Sequence, residues 1–166
     1  AYGSNLDMEQ MARRCPRAVP VCALPMRGFI LRFRGVADVA RHENSVCQGA
    51  LWRITDECED TLDRYEGVSS GLYSKEYFDV SVRGGDPEEV LYYRMGSRGI
   101  MPPSEGYLAG IVRGYRDFGL DLARLNRAVE HSWNRKRKTP FLRDRHARRG
   151  GRLARTPTFT LEGNAR

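Results

Sequence analysis

Two short segments of the chain hold residue types that could do chemistry. The first, Tyr2-Gly3-Ser4-Asn5, is typical of a glycine turn that leads from a strand end into a helix. Such a turn leaves backbone N–H groups without intrahelical partners, and with the helix dipole they can bind a carboxylate or a phosphate. The alternative is a simple helix cap, with Ser4 as the capping residue and Asp7 as its acidic partner.

The second segment offers Glu66 as a candidate acid/base. It stands at the predicted end of a short helix, directly before Gly67, where the helix dipole disfavours a negative charge. Aromatic and apolar residues surround it in sequence, and partial burial among them would raise the pKa of the carboxyl and improve it as a base near neutral pH. Taken alone, the local pattern favours the alternative, a surface glutamate at a helix end.

Strands and helices must position these segments. Apolar patterning predicts strands over 26–34 and 46–54, and a hairpin of strands 72–82 and 89–95 around a turn at 84–87. Helices are predicted behind capping residues, and one of them ends at a glycine. The caps are Thr55 for a helix over 56–65, Ser104 for a helix that ends at Gly119, and Asp121 for a helix that stops at Pro140.

Composition narrows the class of protein. The 166-residue chain has 40% hydrophobic and 30% charged residues, an ordinary globular mix at a length that suits one domain. No apolar run approaches about 18 residues, so we expect no transmembrane helix, and no signal peptide is evident. The cysteines form no Cys-x-x-Cys pair, which predicts reduced thiols and a cytoplasmic location. The scattered histidines show no metal-ligand spacing, so we expect no metal site.

Charge is divided unevenly along the chain. Residues 1–112 hold 13 Lys/Arg and 16 Asp/Glu, whereas residues 113–166 hold 15 and 5. This division excludes a uniformly basic DNA-binding domain. Beyond residue 140 apolar residues are sparse, and we interpret 141–166 as a solvated extension with partial disorder. Contact of this basic tail with nucleic acid or another acidic partner is the less favoured interpretation.

Five motifs, taken together, resemble the γ-glutamylcyclotransferase-like family, in its γ-glutamylamine cyclotransferase or AIG-type branch. The resemblance covers about residues 2–125, so we assign 1–125 to a γ-glutamylcyclotransferase-like domain and 126–166 to a helical continuation with a basic C-terminal extension. The motifs are Tyr2 to Leu6, Met11 to Pro16, Gly49 to Trp52, Asp63 to Tyr73, and Pro103 to Tyr107.

The resemblance implies an α+β fold, with a mostly antiparallel or mixed small β-barrel and flanking helices. It also implies an enzyme without a cofactor or metal, which cleaves a γ-glutamyl amide by attack of the substrate's own α-amine. The products are 5-oxoproline and an amine or amino acid. The family includes monomers and dimers, so a homodimer is possible. The family has apolar residues before the tyrosine as a first strand, and here that strand is either clipped or pairs only briefly.

The resemblance also implies roles for individual residues. Glu66 matches the family's acid/base, and the Tyr-Gly-Ser-Asn loop is expected to hold the γ-glutamyl group through backbone amides. A non-catalytic member that binds an acidic small molecule in the same pocket is the alternative, since a fold can outlive its chemistry. The substrate-binding residues implied are Tyr2, Gly3, Ser4, Asn5, Leu6, Tyr73 and Tyr107.

Overall fold

The computed structural model describes residues 1–81, 86–96 and 99–138 of the chain. Helices and strands alternate irregularly along it, as in an α+β protein. In chain order the elements are a 3-10 turn at Ser4–Leu6, α1 (Met8–Arg14), β1 (Val19–Phe33), β2 (Ala37–Arg53), α2 (Asp56–Glu66), a 3-10 turn at Val68–Ser70, β3 (Tyr73–Val80), β4 (Glu88–Met95), α3 (Glu105–Asp117) and α4 (Leu122–Lys138).

Strands β1 and β2 form a long antiparallel hairpin whose register shifts between Arg27 and Phe29. Gly28 lies at this shift with a φ of 77°, a conformation that glycine adopts readily and that is common at bulges. Both strands are longer than predicted: proline argues against a strand assignment in the first part of β1, and a run of polar residues hides the first part of β2. Pro20 and Pro25 nevertheless lie within β1, whose single described partner is β2.

Strands β3 and β4 pair antiparallel without interruption, which confirms the predicted hairpin. Residues 82–85, which include half of its predicted turn at 84–87, lie outside the described residues. The expected barrel is not confirmed, because the described strands form two separate two-stranded sheets. Hydrogen bonds tie the hairpins together instead: the Met95 amide donates to Asp38 Oδ1 at 2.9 Å, and the Tyr73 hydroxyl donates to the Ala37 carbonyl at 2.7 Å.

The main core lies between the β1–β2 hairpin and the last two helices. Phe29, Leu31 and Phe33 project from one face of β1 and are buried, as the alternation predicts. They share this core with Ile111 of α3 and Leu125 of α4, which are fully buried. A second, smaller core joins α1, α2 and the β3–β4 hairpin. The two cores together place the first residues of the chain against the end of α2.

The predicted caps of the three later helices are confirmed. Thr55 Oγ1 accepts from the Cys58 amide, and Ser104 Oγ accepts from the Tyr107 amide. Asp121 Oδ1 accepts from the Ala123 amide at 2.8 Å. Helix α4 is described to residue 138, so Pro140 and the predicted extension 141–166 lie outside the described residues. The division into domains at residue 125 stays a prediction.

The predicted Ser4 cap is wrong, because the chain makes a 3-10 turn before α1 begins. Asp7 caps α1 instead, and its carboxylate accepts from the amides of Glu9 and Gln10 at 3.1 and 3.2 Å. The same buried carboxylate accepts from Arg113 Nη2 at 2.6 Å. A carboxylate that caps the N-terminus of a helix and also pairs with a cation from α3 is a stronger anchor than a serine hydroxyl.

Helix α3 packs directly on the 3-10 turn through its glycines. A Cβ on Gly114 would lie 2.4 Å from both the carbonyl carbon and the Cβ of Leu6. The close approach of α3 fixes the position of the turn and buries Leu6 completely. No helix in the described part of the chain is long and apolar enough to span a membrane.

Candidate active site

A cavity of about 530 Å³ opens where the N-terminal turn, the end of α2 and the two hairpins meet. The structure brings to it residues that the sequence predicted from distant segments. Those that line it are Tyr2, Gly3, Ser4, Asn5, Glu66, Tyr73 and Tyr107. The side chain of Leu6, the remaining member of the predicted set, is buried in the core, and its amide donates to the Gly3 carbonyl at 3.0 Å, so its role in substrate binding stays a prediction.

Glu66 meets the N-terminal turn through a direct hydrogen bond. Asn5 Nδ2 donates to Glu66 Oε1 at 2.8 Å, across 61 residues of sequence. Glu66 is the last residue of α2, and Gly67 follows in a left-handed conformation with a φ of 65° that ends the helix. The half-buried carboxyl group therefore lies at the wall of the cavity rather than on the outer surface.

The surroundings of Glu66 favour a proton on its carboxyl group more than water does. Burial raises the pKa of Glu66, against the hydrogen bond from Asn5 and the positive charge of Arg14, which lower it. A raised carboxyl pKa brings the group closer to neutral pH, where it can both take and return a proton. This environment differs from the solvated helix end that local pattern favoured.

The N-terminal turn leaves backbone donors for a ligand. Its own hydrogen bonds use the amides of Leu6 and Asp7, which donate to the carbonyls of Gly3 and Ser4 at 3.0 and 3.2 Å. The amides of Gly3, Ser4 and Asn5 take no part in these bonds. Donors at the start of such a turn are suited to a carboxylate or an oxyanion.

Hydrogen bonds of the residues before Gly3 hold the start of the turn in place. The Ala1 amino group donates to the Ala50 carbonyl at 2.7 Å, and the Ala50 amide returns a bond to the Ala1 carbonyl at 2.8 Å. The Tyr2 hydroxyl donates to the Tyr93 carbonyl at 2.6 Å. The position of Gly3 requires a residue without a side chain, since a Cβ there would lie 2.9 Å from the Cβ of Ala37.

Two tyrosines form a wall of the cavity and share one backbone unit. The Tyr73 hydroxyl donates to the Ala37 carbonyl at 2.7 Å, and the Tyr107 hydroxyl accepts from the Ala37 amide at 3.0 Å. Burial raises the pKa of both phenols. Both rings therefore stay neutral and present fixed hydroxyl groups beside the turn and Glu66.

Apolar residues that sequence reasoning did not assign to the site also line the cavity. Trp52 is one of them, and it packs edge-on against Phe118 with ring centroids 5.6 Å apart. Others include Val21, Leu24, Met26, Leu51 and Leu91. Across the described ranges, the His, Cys, Asp and Glu side chains form no group that could hold a metal ion.

Arg14 is a further residue at this site whose contribution the sequence did not reveal. It falls inside the motif from Met11 to Pro16, and that membership was the available signal. Apart from Gln10, one turn earlier on α1, its partners come from other segments of the chain, and no local spacing connects it to them. The contacts of Arg14 became visible only in three dimensions.

Comparison with known proteins places these features in a family context. A model of the AIG2-like family matches residues 47–123. The gamma-glutamylcyclotransferase of Mus musculus is 32% identical over 132 residues, which cover 72% of this chain and 70% of that protein. The Bos taurus protein of the same name is 30% identical over 134 residues, covering 74% of this chain and 71% of that protein.

A solved structure shows the same likeness in three dimensions. A gamma-glutamyl cyclotransferase shares 27% sequence identity with this chain, and the two superpose with a TM-score of 0.67. The match covers 82% of this chain and 83% of the other. The resemblance predicted from the five motifs is therefore confirmed, together with the α+β fold that it implied.

Proposed function

This chain belongs to the gamma-glutamylcyclotransferase family, and on that premise we propose that it cleaves a γ-glutamyl amide by intramolecular cyclisation. The α-amine nitrogen of the substrate attacks its side-chain carbonyl carbon and forms a new C–N bond. The original amide C–N bond breaks, and the proton lost by the amine passes to the departing nitrogen. The products are 5-oxoproline and an amine or amino acid, and no water is consumed.

Glu66 is the acid/base in this proposal. A free α-amino group has a pKa of about 7.7–8.0 and is mostly protonated at neutral pH, so a base must take its proton. The raised pKa of Glu66 and its place on the cavity wall suit it to accept that proton and then deliver it to the leaving nitrogen. Proton transfer by a positioned side chain typically contributes about 10²–10⁴-fold to the rate.

The N-terminal turn holds the reacting end of the substrate. Amides of Gly3, Ser4 and Asn5 can bind the α-carboxylate and stabilise the developing oxyanion. A substrate bent so that its amine meets its carbonyl gains the advantage of orientation, which can supply about 7–11 kcal/mol in well-aligned systems. Tyr73 and Tyr107 form a rigid side of the cavity, and the apolar residues of its lining, which include Trp52, accommodate the leaving group.

This chemistry needs no cofactor, because the nucleophile is part of the substrate. The reduced thiols expected from the cysteine pattern support a cytoplasmic location within the same proposal. The chemical class of partner is thus a small γ-glutamyl compound, and the nitrogen that leaves is an amine or an amino group.

The observation that carries the proposal is the hydrogen bond between Asn5 and Glu66 inside the cavity. The test mixes purified protein with a panel of γ-glutamyl amines and γ-glutamyl amino acids and quantifies 5-oxoproline. We expect product with at least one class, and loss of product in Glu66→Gln. Activity that survives in Glu66→Gln would reject the role of Glu66. A silent panel with a ligand-dependent rise in Tm would favour a binding role instead.

A further inference from the structure

Arg14, at the end of α1, joins several groups around the candidate site. Its Nη1 donates to Ser4 Oγ at 3.2 Å and to Asn5 Oδ1 at 2.5 Å. Its Nη2 donates to Gln10 Oε1 at 2.7 Å and to the Tyr65 hydroxyl. The guanidinium also stacks over the Tyr65 ring, 3.6 Å from its centroid. One side chain thus connects the N-terminal turn to the residue that precedes Glu66.

These contacts decide which way the Asn5 amide faces. An asparagine side chain has one acceptor oxygen and one donor nitrogen, and a guanidinium only donates. Because Arg14 occupies the Asn5 oxygen, the Asn5 nitrogen is turned toward Glu66 and donates to it. The reverse orientation would set the Asn5 oxygen against a carboxylate and its NH₂ group against a cation, so both contacts would be lost.

We propose that Arg14 is a positioning residue for the proposed cyclisation, which holds Asn5 in the orientation that anchors one oxygen of Glu66 and leaves the other for the substrate. The kinetic consequence rests on the proposed function. The arrangement of Arg14, Asn5 and Glu66 itself stands on the geometry alone. The planar fork of arginine is needed, because a lysine ammonium is a point charge that cannot hold the same set of acceptors.

Loss of Arg14 should make Glu66 harder to ionise. Arg14 contributes a positive charge near the carboxylate, and it keeps the Asn5 donor in place. Both favour the ionised form, so their removal raises the pKa of Glu66 further. The other titratable side chains that face Glu66 are Tyr2, Tyr73, Tyr93 and Tyr107. Burial raises the pKa of the four phenols, and all of these groups stay the same in the variants.

The kinetic test compares Arg14→Met and Arg14→Lys with Arg13→Met. Arg13 is the matched control, because it neighbours Arg14 on α1 but is exposed and pairs with Glu9. We expect both Arg14 variants to lose roughly 10-fold to 10²-fold in kcat/KM, mainly through kcat, since small displacements of reacting groups carry such costs. The acidic limb of the pH profile should move to higher pH in Arg14→Met, and Arg13→Met should match wild type.

Arg14→Lys keeps the positive charge, and it is the variant used in the kinetic test if Arg14→Met does not fold. Full activity in Arg14→Lys would overturn the inference, because charge alone would then suffice. A double variant separates positioning from a direct effect of the charge on kcat. Since Arg14 acts through Asn5, Arg14→Met should reduce kcat much less in an Asn5→Ala background than in wild type. Equal losses in the two backgrounds would contradict the inference.

A second readout does not depend on activity. Proteins with ¹³C-labelled glutamate carboxyl groups are titrated by NMR, and the Glu66 resonance is assigned by its absence in Glu66→Gln. We expect this resonance to titrate at higher pH in Arg14→Met than in wild type or Arg13→Met. An unchanged midpoint would overturn the inference, whether or not wild type makes 5-oxoproline. Absence of 5-oxoproline from wild type would overturn only the proposed function.

Discussion

The pKa of a carboxyl group reflects its immediate neighbours, and at Glu66 these neighbours act in opposite directions. Burial raises its pKa, while the Asn5 side chain and Arg14 lower it. The balance leaves a carboxyl that ionises less readily than an exposed glutamate, with one fixed hydrogen bond. Each neighbour therefore makes a separate contribution that a single substitution can remove.

Replacing Asn5 by alanine tests the contribution of its hydrogen bond. Asn5→Ala removes the donor to Glu66 Oε1, which favours the ionised carboxylate. The pKa of Glu66 should rise, so the base form is lost at a higher pH as acid is added, and the acidic limb of the kcat/KM profile moves upward. A control is Asn134→Ala, an exposed position on α4. A profile that stays in place in Asn5→Ala would show that the bond does not influence catalysis.

Replacing Tyr107 by phenylalanine tests the tyrosine wall. In the wild-type protein the Tyr107 hydroxyl accepts from the buried Ala37 amide at 3.0 Å. The variant leaves this amide without that partner. Loss of a partner for a buried donor costs about 1–3 kcal/mol, so the free energy of unfolding should fall by that amount. Urea unfolding measures it, and the exposed Tyr77→Phe is the matched control. Equal stability of the two variants would mean that the Ala37 amide finds another partner.

Some residues of this site could be predicted from the sequence, and others could not. The Tyr2-Gly3-Ser4-Asn5 turn and Glu66 stand in motifs that together carry the family resemblance, although the local pattern at Glu66 alone favoured a surface position, and the structure brings them to one cavity. Arg14 had no such signature, since its partners at Ser4, Asn5 and Tyr65 lie outside α1 and are brought to it only by folding. Leu6 was predicted to bind substrate as part of its motif, and its apolar side chain is buried in the core.

At the scale of elements, the site depends on how closely α3 approaches the N-terminal turn. Gly114 permits contact between the backbone of α3 and Leu6. Asp7 and Arg113 reinforce the contact with two hydrogen bonds to one buried carboxylate oxygen, at 3.0 and 2.6 Å. This contact supports the turn rigidly, and it therefore holds the backbone amides of Gly3 and of the residues that follow it at the cavity.

A side chain on Gly114 should therefore disturb both stability and activity. Gly114→Ala places a Cβ 2.4 Å from Leu6, and overpacking of this kind typically costs about 1–3 kcal/mol. Gly106→Ala is the matched control on the same helix, because its Cβ would meet nothing within 4 Å. Alanine favours a helix over glycine by about 0.8–1.0 kcal/mol, so Gly106→Ala should be neutral or stabilising. Thermal unfolding and 5-oxoproline formation measure both effects, and a Gly114→Ala protein that matches Gly106→Ala would contradict this account.

The elements with strong local signals were predicted, and those set by tertiary contacts were not. The three helix caps and the β3–β4 hairpin follow from capping residues and alternation. The first halves of β1 and β2 escaped prediction, because prolines in β1 and polar residues in β2 mask their pairing. The 3-10 turn before α1 was missed, because Asp7 rather than Ser4 satisfies the helix amides once Arg113 is near.

At the scale of the whole molecule, the described residues that line the candidate site are separate in sequence from the basic C-terminal residues. The residues that line the cavity run from Ala1 to Tyr107, and the excess positive charge lies in 113–166. Deletion of 141–166 should therefore leave kcat/KM for cyclisation unchanged. If the tail contacts nucleic acid, the deletion removes a binding activity that weakens steeply with salt. Loss of cyclisation on deletion would show that the tail belongs to the site.

The most direct test of the central claim is the identity of the acyl product. Cyclisation yields one 5-oxoproline for each amine released, whereas hydrolysis of the same amide yields glutamate. We predict that the wild-type protein gives 5-oxoproline and released amine in equal amounts, that Glu66→Gln gives neither, and that the exposed control Glu57→Gln behaves as wild type. Glutamate in place of 5-oxoproline, or undiminished 5-oxoproline from Glu66→Gln, would contradict the account.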